Sequence, residues 1–70
     1  MMPLTLADTG ATYTILKVGG KPEVRAHLND LGVVAGGDVQ VITDMMGNLI
    51  VNVKETRVAI SKEMAAKIMV

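Results

Sequence analysis

Val39-Gln40-Val41-Ile42-Thr43, a connection at Met45-Met46-Gly47-Asn48, and Leu49-Ile50-Val51-Asn52-Val53 form the stretch on which the fold turns. Leu49, Val51 and Val53 alternate with Ile50 and Asn52, and both arms are rich in β-branched residues that suit a pleated surface, so two strands joined by a tight hairpin are expected. Toward the C-terminus, Lys54-Glu55-Thr56 turns the chain into a short strand, Arg57-Val58-Ala59-Ile60. Ser61 suits a helix N-cap because its hydroxyl can accept a free backbone N–H, and Glu63 complements the positive end of the same helical turn. Met64, Ala65 and Ile68 then face inward, and the apolar ending Ile68-Met69-Val70 is expected as a last strand.

Toward the N-terminus, Ala35-Gly36-Gly37-Asp38 reads as a tight turn leading into Val39. Before it lies a helix. Pro22 fits the first helical position, where its missing N–H has no intrahelical partner, and Gly32 fits the end, where a left-handed conformation is needed. Between them Val24, Leu28 and Leu31 form one narrow apolar stripe at helical spacing. Upstream, Gly10 opens and Gly19-Gly20 closes a strand from Ala11 to Val18, with Tyr13 and Ile15 alternating with Thr12 and Thr14. Short strands on so small a core leave edges that closure into a barrel removes. The expected fold is a single mainly β domain over residues 1–70. It is a small β-barrel of about five strands, with one helix between strands 1 and 2 and a short helix before the last strand.

Composition narrows the function. Half of the 70 residues are hydrophobic, yet Tyr13 is the only aromatic, which argues against a deep aromatic-lined pocket and against base stacking on a row of aromatics. Seven basic and seven acidic residues cancel, which argues against bulk electrostatic binding of nucleic acid. Zero cysteines exclude disulfides, thiolate metal sites and cysteine nucleophiles. The N-terminus lacks the pattern of a signal peptide, and no run approaches the roughly 20 apolar residues of a membrane span, so no direct membrane insertion is expected and the expected compartment is the cytoplasm.

The segment His27-Leu28-Asn29-Asp30-Leu31-Gly32-Val33-Val34-Ala35-Gly36-Gly37-Asp38-Val39-Gln40-Val41 resembles the signature of the FeoA family, with Leu28, Leu31-Gly32 and Gly36 in its Leu-x-x-Leu-Gly-x-x-x-Gly pattern. The ending from Arg57 to Val70 is similar to that family's closing strand, short helix and terminal strand. The resemblance spans nearly the whole chain. It implies an SH3-like barrel, a fold shared with the C-terminal domain of DtxR-type iron-dependent repressors. It also implies a part in bacterial ferrous iron transport, as cytosolic partner of a FeoB-type permease whose soluble portion carries a GTP-binding domain. The chain departs from the family in placing His27 before the first motif leucine, where a basic residue is frequent, and at Ser61, near which the family often carries a basic residue.

Three candidate sites can be weighed on the residues themselves. Glu23, His27 and Asp30 share one arc of the helix, a pattern that could hold a metal. One imidazole with two ordinary carboxylates lacks the ligand set of a closed site, so no metal ligand and no cofactor is assigned. The glycines of Gly32-Val33-Val34-Ala35-Gly36-Gly37 lack the Gly-Lys-Ser/Thr of a phosphate loop and are explained by turns. Ser61 has no evident base and His27 no evident nucleophile, so no catalytic residue is assigned and an enzyme is not expected.

What remains is recognition by a surface. Apolar residues in loops, from the end of the helix through Leu31, Val33 and Val34 to Met45 and Met46, are the expected partner-binding set. The expected partner is the cytosolic G domain of the permease, with room for weak homo-oligomerisation. Two alternatives stand beside it: a peptide-binding regulatory module like the repressor domain, and a small RNA-binding barrel, which the neutral charge opposes.

Overall fold

The computed structural model describes residues 1–70. The chain forms six strands, β1 (Thr12–Thr14), β2 (Lys17–Val18), β3 (Asp38–Met45), β4 (Asn48–Val53), β5 (Thr56–Ser61) and β6 (Ile68–Met69). Helix α1 (Pro22–Asp30) separates β2 from β3, α2 (Lys62–Ala65) precedes β6, and a 3-10 turn covers Leu4–Leu6. The strands make an antiparallel sheet in the order β1-β3-β4-β5 and a second, two-stranded antiparallel sheet, β2-β6. The mainly β, SH3-like barrel is therefore the fold adopted, with the two helices where the sequence places them.

The strand expected from Ala11 to Val18 is divided. Ile15 still belongs to the first ladder, donating its N–H to the Gly37 carbonyl at 2.8 Å and accepting from the Gly36 N–H at 2.7 Å. Leu16 already belongs to the second, donating to the Met69 carbonyl at 2.8 Å. A strand that passes from one sheet to another at a bend is how small barrels turn a corner, and here it raises the expected five strands to six.

The N-terminus completes the second sheet. Met2 and Val70 exchange both backbone hydrogen bonds, at 2.9 and 2.8 Å, and Pro3 bridges Met69, so β6 lies between β2 and the first residues of the chain. The following 3-10 turn drops Leu4 into the interior with no exposed surface.

The core is aliphatic throughout: Leu4, Ile15, Leu28, Val33, Val39, Val41, Leu49, Val51, Val53, Ile60, Ala65 and Ile68. No polar or charged residue is buried among them, and no buried side-chain donor or acceptor lacks a partner. Side-chain burial therefore works through the hydrophobic effect with no polar side chain desolvated to offset it.

Helix α1 ends in a Schellman motif. Gly32, at a φ of 98°, donates to the Asn29 carbonyl at 2.9 Å, and Val33 donates back to the Leu28 carbonyl at 2.9 Å. That geometry folds the residue after the glycine onto the last turn of the helix, and both Leu28 and Val33 are fully buried as a result.

Candidate functional site

Two tight hairpins decide which residues the barrel presents. The pairing Met45↔Asn48 leaves Met46 and Gly47 as a two-residue loop with φ values of 42° and 89°, the pattern of a type I′ turn. The pairing Val53↔Thr56 leaves Lys54 and Glu55 in the same arrangement, at 51° and 64°. Asparagine, aspartate and glycine are the usual occupants of the first position of such a turn. Met46 holds that position with its side chain wholly in solvent, at 101% relative exposure, beside Met45 at 55%.

A β-bulge sets what surrounds this tip. Val41 pairs with Val51, but the next pair on β3 is Thr43 with Ile50, so Ile42 is the extra residue. The shift reverses the side to which each later residue of β3 points. Asp44 consequently falls opposite Leu49, on the side where α2 sits, and its Oδ2 meets Lys62 Nζ at 3.0 Å. The Lys62 N–H also donates to the Gly47 carbonyl at 3.1 Å. Hairpin tip and helix start are thereby joined.

Ser61, the β5 partner of Asn48, also lines the one cleft of the molecule, about 200 Å³ in volume, together with Val24 of α1, Glu63, Met64 and Lys67. The Ser61 hydroxyl does not face it as a free nucleophile, because it accepts the Met64 N–H at 3.2 Å as the cap of α2. Val24 and Met64 make an apolar floor between one acidic and one basic side chain. Small-molecule and cofactor pockets run from about 300 to 1,000 Å³, so this cleft matches a single side chain better than a ligand of that size.

The expected partner-binding set is not one patch. Val33 is in the core, so it presents nothing to a partner, and the Schellman motif is the reason. Leu31 is half-buried against the core and Val34 is half-exposed, both at the end of the barrel where β3 begins. Met45 and Met46 lie at the other end of β3, seven residues from Asp38, a separation of about 23 Å at the strand rise. The sequence reading did not group Val24, Met64 and Lys67, which the fold brings together from α1, α2 and the turn before β6 to line the cleft. Only the apolar character of Val24 and Met64 signalled them, and it signalled burial equally well.

Glu23, His27 and Asp30 are all exposed along α1, and no three His, Asp or Glu side chains converge where a metal could sit. No helix is long and apolar enough to cross a membrane.

Comparison with known proteins gives the following. The FeoA domain family matches residues 2–70. No curated protein matches the chain. Among solved structures, one described as an iron uptake regulatory protein (FeoA) shares 29% identity at a TM-score of 0.87, over 97% of this chain and 90% of that one. The FeoA protein of Chlorobium tepidum shares 26% identity at a TM-score of 0.84, over 97% of this chain and 67% of that one. In fold alone, the chain also superposes on Stenotrophomonas maltophilia FeoA complexed with zinc, described as a procaryotic SH3 domain protein and a candidate ferrous iron transport activating factor. That match has 21% identity and a TM-score of 0.84, over 99% of this chain and 88% of that one.

Proposed function

The chain belongs to the FeoA family, and from that premise we propose that it is a non-enzymatic accessory protein of bacterial ferrous iron uptake. It works in the cytoplasm by docking on the soluble G domain of a FeoB-type permease and modulating it. The docking surface is the hairpin tip at Met45 and Met46 together with the Val24–Met64 cleft.

The observation that carries the reading is Met46. A large apolar side chain stands fully in water, in a left-handed backbone conformation that costs an L-residue about 1–2 kcal/mol, at a turn position where asparagine or glycine would be cheaper. Backbone strain combined with an exposed apolar group concentrates where a surface is used. Methionine adds adaptability, since its unbranched thioether repacks readily against different partners. The cleft, linked to the tip through the Asn48↔Ser61 pair, gives a partner one socket of side-chain size, an arrangement in which a few residues supply most of the binding energy.

The non-enzymatic part of the reading is supported by the site chemistry: the Ser61 hydroxyl is engaged as a cap, and His27 stands exposed on α1. Binding to a purified permease G domain, measured with and without guanine nucleotide, tests the proposal. Met46→Ser is expected to weaken binding about tenfold or more while stability stays within about 0.5 kcal/mol, because the side chain touches no core residue. Unchanged affinity in that variant, or no binding by the parent chain, overturns the reading.

A further inference from the structure

Seventy residues contain six methionines, no cysteine and no tryptophan, so thioether sulfur is the only sulfur the chain can present to an oxidant. The fold sorts the six unequally. Met46 is fully exposed, Met1 and Met45 are exposed to lesser degrees, and Met2, Met64 and Met69 are half-buried, Met64 against the core. Oxidation of a packed methionine forces a polar sulfoxide into apolar surroundings and damages the fold, whereas oxidation of Met46 places the new S=O dipole in water and disturbs nothing beneath it.

We propose that Met46 is a reversible sulfoxide-forming site: hydroperoxides oxidise its thioether ahead of the packed methionines and turn the hairpin tip from an apolar anchor into a polar one. In the forward step a sulfur lone pair attacks the distal peroxide oxygen, the O–O bond breaks and the S–O bond forms. Sulfur loses two electrons, and hydrogen peroxide leaves as water. In the return step two thiols of a methionine sulfoxide reductase system take the oxygen off as water and become a disulfide, restoring the thioether.

Three features make this a switch and not a lesion. The side chain is outside the core, so both forms fold. The turn backbone is held by the Met45↔Asn48 pairing and by Lys62 on the Gly47 carbonyl, so the tip keeps its shape in either state. The sulfur belongs to the anchor of the proposed docking surface, where a polar group without a partner is costly. The consequence for docking rests on the function proposed above; the oxidation site itself does not.

The test treats the full chain with limiting hydrogen peroxide, maps each methionine by peptide mass spectrometry, and measures G-domain binding by the singly oxidised protein. Met46 is expected to oxidise at least about fivefold faster than Met64 and Met69, with the unfolding transition unchanged and affinity for the G domain lowered about tenfold. The affinity of Met46→Leu, compared with that of its own untreated form, is expected not to change with peroxide, and Met46→Gln is expected to bind as weakly as the oxidised protein. A methionine sulfoxide reductase with dithiothreitol should restore binding. Equal oxidation of all six methionines overturns the site, and peroxide sensitivity that persists in Met46→Leu overturns the switch. Failure of the parent to bind overturns the docking reading and the switch with it, while the peptide map still decides the oxidation site.

Discussion

Met46 and Gly32 occupy the same region of backbone space for opposite reasons. Gly32 is there because the Schellman motif demands it, and a Cβ at that position would lie 3.3 Å from Val53 Cγ1. Gly32→Ala is expected to lose about 1–2 kcal/mol from the left-handed strain alone, seen as a lower urea midpoint with an unchanged slope. Met46 is there because a two-residue hairpin demands it of any residue, and its side chain gains nothing in return from the fold. Met46→Asn should therefore stabilise the domain by about 0.5–1 kcal/mol, read as a raised thermal midpoint, while weakening G-domain binding. A loss of stability in that variant would mean the methionine serves packing, not recognition. Residue identity at both positions was legible as turn chemistry. That Val33 would be buried was not, because Val33 and Val34 are the same residue type and only the helix-ending hydrogen bonds distinguish them.

At the level of elements, the β4–β5 hairpin repeats the strained geometry of the tip with two non-glycine residues, Lys54 and Glu55. The aliphatic stem of Lys54 approaches Gly32, and Glu55 is exposed. Glu55→Gly is expected to add about 0.5–1 kcal/mol by removing strain at the position where a type I′ turn favours glycine, measurable by chemical denaturation. Helix α2 has four residues and cannot hold itself; the Ser61 cap and the Asp44–Lys62 pair fix its start, and Ala65 buries its inner face. The cap was readable from Ser61 and the residues that follow it. The ion pair was not, because a strictly alternating β3 would point Asp44 away from α2, and only the bulge at Ile42 brings it round.

For the molecule as a whole, closure depends on a segment that carries little pattern. Met2 and Pro3 pair with the last residues of the chain, and the Leu4 side chain that follows them is fully buried in the core. Leu4→Ala is expected to cost about 2–5 kcal/mol, enough to unfold much of so small a domain at ambient temperature, and circular dichroism against temperature reads it directly. Retention of the native transition would show that the N-terminal segment is dispensable to the core.

Alternating β-branched residues, turn glycines and the Pro22-to-Gly32 span were enough to specify the barrel class, both helices and most strands, because those features act through local backbone preference and burial period. The corner at Ile15–Leu16, the bulge at Ile42 and the cleft shared by Val24 and Met64 were decided only when distant segments packed. Each depends on hydrogen-bond partners and neighbours more than a dozen residues away or on a one-residue shift in register, and neither leaves a periodic trace in the chain itself.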